Sequence, residues 1–199
     1  MVKIHINSHF AIGVIIASLF NHYFNFTLLE FSLIVITSFI NDFDVFFSKY
    51  AKDHNHRNLV SHSIIPGVII FSIGMIFDWS VLIVCGFVYF VHIFVDTLDW
   101  GTNFFYFPKK TFGLRFLMPK VEEENLSKYL ANYRYPESYF DFKYYNNKIC
   151  MAIEIILFIL MIIFVVFLAF EYIIVVLFYF LGLYFHLSRH FYLKKIEAK

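Results

Sequence analysis

Charge is what this sequence has least of. Asp, Glu, Lys and Arg make up 16% of its 199 residues, against roughly a quarter in an average soluble domain. Hydrophobic residues reach 60%, more than a soluble chain of this length can hide from water, whereas a bilayer solvates them at no cost. A soluble globular domain is therefore excluded, and the chain reads as an integral membrane protein. Cysteine is nearly absent too. Cys85 and Cys150 sit in or beside apolar runs, outside any CxxC or Cys/His pattern, so neither a disulfide nor a thiolate metal site finds support. A net charge of +1 provides no bulk electrostatic attraction for nucleic acid, and none is expected as a partner. Internal repeats and low-complexity segments are missing. The opening MVKIHINSHFAIGVIIASLF has one Lys before an apolar run, as a signal peptide does, but no small-x-small cleavage site follows and His9 interrupts its flank. It is expected to be a retained first helix.

What is present is a series of apolar segments, at about 10–26, 28–47, 64–77, 81–98, 149–170 and 172–187. Several are short beside the roughly 20 residues that a crossing needs. The last two form one nearly continuous run that would be about 58 Å long as a single straight helix, so two spans turning near Glu171 suit a bilayer better. Charge tests the count independently, because cytoplasmic loops collect Lys and Arg. With six spans and a cytoplasmic N-terminus, the inside segments are 1–9, 48–63, 99–148 and 188–199, and all 16 Lys and Arg residues fall there. The outside turns near 21–27, 78–80 and 171 hold none.

The expected architecture is thus an all-α, polytopic membrane helix bundle of about six spans, in the cell or inner membrane, with both termini cytoplasmic. Residues 1–98 form a four-helix membrane half, 99–148 a cytoplasmic segment lying on the membrane surface, and 149–199 two further membrane helices with a basic tail. The middle segment is too aromatic for a disordered linker.

This topology rests on Lys and Arg alone, yet it brings seven other groups to the cytoplasmic ends of helices. His9 opens the first, Asp42 and Asp44 close the second, His56 and His62 precede the third, and His92 and Asp96 close the fourth. His92 and Asp96 are four residues apart and share a helix face, as metal ligands or as a buried His hydrogen-bonded to Asp. Asp42 and Asp44 would diverge by about 200° on a regular helix, so their convergence needs a helix end or a turn, which Asn41 and the aspartates favour; the alternative is a solvated terminus. His56 and His62 flank a turn before a helix that starts at Ser63, since Pro66 is tolerated only in a first turn; taken alone they read as surface histidines. His9 alone reads equally as an interfacial residue. Together these alternatives weaken, because ionisable groups gathered at one membrane depth are costly unless something pairs them.

Mixed His and carboxylate donors suit a divalent transition metal, Zn²⁺ foremost, with Mn²⁺ or Fe²⁺ as alternatives, and seven candidates are enough for two ions. Such a centre activates water and clamps the oxygens of a displacement at phosphorus. Arg57 fits as a partner for a phosphoryl oxygen, or as a residue that merely faces lipid headgroups. His5, His22, His54, His186 and His190 have no partner at recognisable spacing, while Glu154 stands out as an acid inside an apolar run.

The segments SHFAIGVIIA, INDFDVF, HRNLVSHSIIPG and VHIFVDTLDWGTNFFYFPKKTFGLR follow one another in the order found in the membrane-bound metal-dependent hydrolases, also called the LexA-binding, inner membrane-associated hydrolase-like family. The chain resembles that family over roughly residues 8–116, with Asn41 in place of its usual Pro, Asn58 in place of Gly and Val60 in place of a frequent Thr. A more distant similarity runs to zinc-dependent phospholipase C and nuclease proteins. The resemblance implies metal-site roles for His9, Asp42, Asp44, His56, His62, His92 and Asp96; Asp44, Arg57 and His62 are expected to take catalytic parts.

The expectation is a membrane-embedded metal-dependent hydrolase acting on a lipid or other amphiphilic phosphoester through metal-activated water, with membrane lipid as its surroundings. A metal or ion transporter is one rival, although its ligands should lie near the bilayer midplane. A non-catalytic membrane scaffold is the other.

Overall fold

The computed structural model describes residues 6–51, 55–106 and 112–199. His5, His54, Lys3, Lys52, Lys109, Lys110 and the Pro108 region of the last motif lie outside the described residues.

The architecture is all-α. Helix α1 (Ile6–Phe24) is followed by α2 (Leu28–Thr37) and by a tighter 3₁₀ stretch over Ile40–Tyr50. Two single 3₁₀ turns, His56–Asn58 and Val60–His62, lead into α3 (Ile64–Ile76) and α4 (Ser80–Asp99). Three short helices follow, α5 (Lys120–Glu124), α6 (Leu126–Leu130) and α7 (Pro136–Tyr145). The chain ends with α8 (Lys148–Leu168), a 3₁₀ turn over Phe170–Val175, and α9 (Val176–Glu197). Among the described residues the sole strand-like pairing is an isolated antiparallel bridge between Thr102 and Phe112.

Local chemistry sets the boundaries. Asn25, with a left-handed φ of 50°, turns the chain after α1. Thr27 and Glu30 then form a reciprocal capping box that starts α2. Ser63 caps α3 through Ile65 N, as its position before Pro66 predicts. Asn147 caps α8 through the amides of Ile149 and Cys150.

Three helices are long and apolar enough to cross a membrane, Ser80–Asp99, Lys148–Leu168 and the bent Phe170–Glu197, and a fourth crossing results if α2 and the following 3₁₀ stretch count as one span bent by 42°. That fits an integral membrane protein. It falls short of six for identifiable reasons. At 13 residues α3 rises only about 20 Å, against a hydrocarbon core of about 30 Å. With 19 residues α1 is long enough, but Asn7, Ser8 and His9 at one end and Asn21 and His22 at the other dilute its apolar character.

The main core gathers Val14 and Ala17 of α1, Ile34 of α2, Val84 and Val88 of α4, and Met161 and Val165 of α8. Helices α3 and α4 touch backbone to backbone, since a Cβ at Gly86 would lie 2.6 Å from Phe71 Cβ. Small residues permit this approach between membrane helices.

The segment after α4 is folded. Trp100, Leu117, Met118, Tyr139, Phe140 and Tyr144 form a second cluster together with Cys150 of α8. Helix α9 returns along α8 and ties this segment down, with His190 Nδ1 2.5 Å from Asp141 Oδ2 and Glu197 accepting from the amides of Arg134 and Tyr135 at the start of α7.

Candidate metal centre

All seven sequence-predicted ligands are buried, and they come from the element ends where the topology placed them. His9 lies about 22 Å from the far end of α1, and Asp96 about 24 Å from the far end of α4, at 1.5 Å per residue. Both helices therefore deliver their polar groups to one level.

The local folding explains how. The regular helix α2 stops at Thr37, and the chain tightens into 3₁₀ turns that bury Asn41, Asp42 and Asp44 while turning Phe43, Phe46 and Phe47 outward. The two aspartates do not address the same partner. Asp42 Oδ1 lies 3.4 Å from His92 Nε2, whereas Asp44 Oδ2 lies 2.7 Å from His62 Nδ1 and also accepts from Ser61 Oγ at 2.8 Å. The turn before α3 presents His56 and His62 with their rings 5.3 Å apart and nearly perpendicular.

Four of the seven form a compact group. His9, Asp42, His92 and Asp96 each offer one donor atom, all within 4.8 Å of one another. Two donors held about 2.1 Å from a tetrahedral Zn²⁺ sit about 3.4 Å apart. The measured spacings are 3.3 Å for His9 Nε2 to Asp96 Oδ1, 3.4 Å for His92 Nε2 to Asp42 Oδ1, and 3.7 Å for His92 Nε2 to Asp96 Oδ2. These are ligand spacings. His92 is already oriented for such a role, because its Nδ1 donates to Ser38 O at 2.7 Å and so leaves Nε2, which has no hydrogen-bond partner, to face the group. Gly13 allows this arrangement, since a Cβ there would lie 2.3 Å from Ser38 Oγ.

His62 stands differently. Its Nε2 lies 2.6 Å from Asp96 Oδ2 and its Nδ1 2.7 Å from Asp44 Oδ2. Those are hydrogen-bond lengths, too short for two donors on one cation. A neutral imidazole carries a single N–H, so both bonds require that the ring and the two carboxylates hold one further proton. His62 thus joins a carboxylate of the four-donor group to Asp44, which lies outside it. Thr102 Oγ1 secures the backbone beneath, donating to His62 O at 3.0 Å.

Arg57 does not reach toward headgroups. Its guanidinium is buried, donating to Gly101 O at 3.0 Å and lying 3.5 Å from Asp96 Oδ1. Asp96 is consequently the hub of the centre, facing His9, Arg57, His62 and His92. His22, the histidine assigned to the opposite membrane face, is exposed at the far end of α1.

Sequence reasoning missed several supporting residues. Ser38 acts through its backbone carbonyl, for which no side-chain pattern exists. Ser61 was visible within HRNLVSHS but carried no separate signal. The His190–Asp141 contact joins residues 49 positions apart, beyond any local spacing rule.

Comparison with protein-family models, with curated proteins and with solved structures finds no match.

Proposed function

We propose that the protein is a membrane-embedded, metal-dependent hydrolase acting on a lipid or other amphiphilic phosphoester, as its resemblance to the membrane-bound metal-dependent hydrolases implies. The observation that carries this reading is the buried group His9, Asp42, His92 and Asp96 at ligand spacing, with the hydrogen-bonded His62–Asp44 pair against it. A divalent transition metal there, with Zn²⁺ the best match to the donor set, supplies Lewis-acid activation and charge neutralisation at phosphorus.

The chain's own residues have complementary parts. His62 holds a proton between Asp44 and Asp96 and serves as general acid or base, while Asp44 orients its ring as the carboxylate of a His–Asp pair does. Arg57, fixed by Gly101 O and Asp96, adds positive charge where anionic oxygens collect. A second ion would engage Asp44, His56 and His62 after His62 gives up its hydrogen bonds.

The amphiphilic substrate is supported by the 3₁₀ stretch itself. The same turns that bury Asp42 and Asp44 expose Phe43, Phe46 and Phe47, continuing the exposed apolar face formed by Leu33 and Ile36 of α2. A lipid alongside this face has its head at the depth of the carboxylates. The proposed topology keeps six crossings and cytoplasmic termini, with α1 and the α3–α4 hairpin among them, and it rests on the one-sided distribution of Lys and Arg.

A second reading has its own support, because four protein donors, His9, Asp42, His92 and Asp96, would be enough to hold a structural zinc ion. One experiment separates the two. Protein purified in detergent is assayed for metal content and for product release from a panel of amphiphilic phosphoesters, with and without chelator, beside His62→Ala. The hydrolase reading expects chelator-sensitive turnover in the wild type, and metal retention without turnover in His62→Ala. Metal in both proteins and turnover in neither means a structural site. An inert panel accompanied by metal flux in proteoliposomes means a transporter.

A further inference from the structure

We propose that Glu154, an acid inside the membrane-spanning helix α8, is a positioning residue for the metal centre that acts through Ser8 on His9. This inference rests on the metal-binding reading of the four-donor group. Glu154 Oε2 accepts hydrogen bonds from Ser8 Oγ and from the Tyr144 hydroxyl, the latter at 2.6 Å, and Oε1 accepts from the Tyr179 hydroxyl at 3.3 Å. One carboxylate thereby joins α1, α7 and α9 to α8.

The consequence falls on His9. His9 stands in the first described turn of α1. What locates that turn is contact with other helices. Ser8, immediately before His9 and itself buried, is bound to Glu154. Asn7 is seated against α9, where a Cβ on Gly182 would lie 2.5 Å from Asn7 Oδ1. His9 Nε2 must meet Asp96 Oδ1 across the interior at 3.3 Å, and a shift of the first turn by a few tenths of an ångström changes that spacing directly. Partners that orient a metal ligand from outside commonly govern 10–100-fold in affinity.

The geometry also separates positioning from proton conduction, the other use of an intramembrane acid. Each of the three partners is a hydroxyl, able to donate or accept. Glutamine therefore satisfies the same network, its carbonyl oxygen receiving Ser8 and Tyr144 and its amide donating to Tyr179. Leucine removes the acceptor that the three hydroxyls share.

The test is Zn²⁺ affinity of the full-length protein in detergent, measured by competition with a chromophoric chelator alongside thermal unfolding of the metal-free form. Glu154→Leu and Ser8→Ala are each expected to weaken Zn²⁺ binding about tenfold or more. Glu154→Gln is expected to stay within about threefold of the wild type, and the Ser8→Ala/Glu154→Leu double variant to bind no more weakly than Glu154→Leu alone, since both break one linkage. Wild-type affinity in Ser8→Ala overturns the proposal, and this arm stands even if Glu154→Leu does not fold. Additive losses overturn it as well, and losses in Glu154→Gln equal to those in Glu154→Leu assign the role to the charge instead. If the wild type binds no Zn²⁺, the metal-centre reading itself fails and the inference falls with it, a result unlike any in which the wild type binds.

Discussion

Helices α4 and α8 have similar lengths, 20 and 21 residues, and both are apolar enough to cross a membrane, but they occupy opposite kinds of position. More than half of the apolar window of α4 is buried inside the protein, against 17% for α8. The buried helix carries His92 and Asp96, and packs against α1, α2 and α3. The exposed one turns Ile149, Ile153, Ile156 and Ile163 outward and carries a single acid, Glu154, near its start. Hydropathy ranks α8 above α4, 3.2 against 2.2, and so ranks them in the reverse order of their centrality. In a bilayer the most apolar helix is the one that the lipid can solvate. The helix that needs protein around it is the one whose polar groups must be matched.

The sharpest way to break this contrast is to remove a donor from the buried end. Asp42→Ala, His92→Ala and Asp96→Ala each delete one of the four ligand-spaced groups and are expected to take bound transition metal from full occupancy to near none, read by elemental analysis of purified protein. His22→Ala, at the far end of α1, should leave occupancy unchanged. Retained metal in all three donor variants means that the buried polar end of α4 serves packing alone.

Removing Arg57 tests the same end without touching a donor. Arg57→Ala leaves the buried Asp96 without its neighbouring cation and the Gly101 carbonyl without a donor. Breaking a buried charged contact costs about 3 kcal/mol or more, and the metal-free protein should unfold correspondingly earlier in a denaturation series. A change of less than about 0.5 kcal/mol would show that His9 and His62 suffice for Asp96.

Packing of α4 against α3 gives the next smaller effect. A Cβ at Gly86 meets the Phe71 backbone nitrogen at 2.7 Å as well as its Cβ, and backbone yields less readily than a side-chain tip. Gly86→Ala is expected to cost about 1–3 kcal/mol by overpacking, with metal stoichiometry retained. Unchanged stability would show that α3 can slide on α4.

The same contrast explains what could be read in advance. The all-α, apolar character of the helices follows from composition, because it is an average over many residues. The helix start at Ser63 follows from local capping chemistry. Division of six of the seven candidates into four at ligand spacing and a hydrogen-bonded His62–Asp44 pair, with His56 beside His62, depends on differences of under 1 Å, which no spacing rule carries. The six-span expectation counted apolar runs, whereas three helices, or four with the bent pair, are long and apolar enough by themselves, and the apolar α3 has 13 residues. Glu154 was conspicuous in the sequence, but its partners Ser8, Tyr144 and Tyr179 come from three other helices and no local pattern joins them.

The smallest expected effect lies on the exposed face of α8. Ile156 is 55% exposed on a helix whose outward side meets acyl chains, while Ile93, beside His92 in α4, is fully buried. Truncating Ile93 to Ala opens a cavity that the surrounding helices fill only in part, at a cost of about 2–5 kcal/mol. Truncating Ile156 opens none, because lipid closes over the shorter side chain and the lost apolar contact is the same in folded and dissociated helices. Ile156→Ala should therefore change unfolding in bicelles by less than about 0.5 kcal/mol. A loss approaching that of Ile93→Ala would mean that protein covers this face of α8, and a second copy of the chain would then be the first candidate to look for, by cross-linking at position 156.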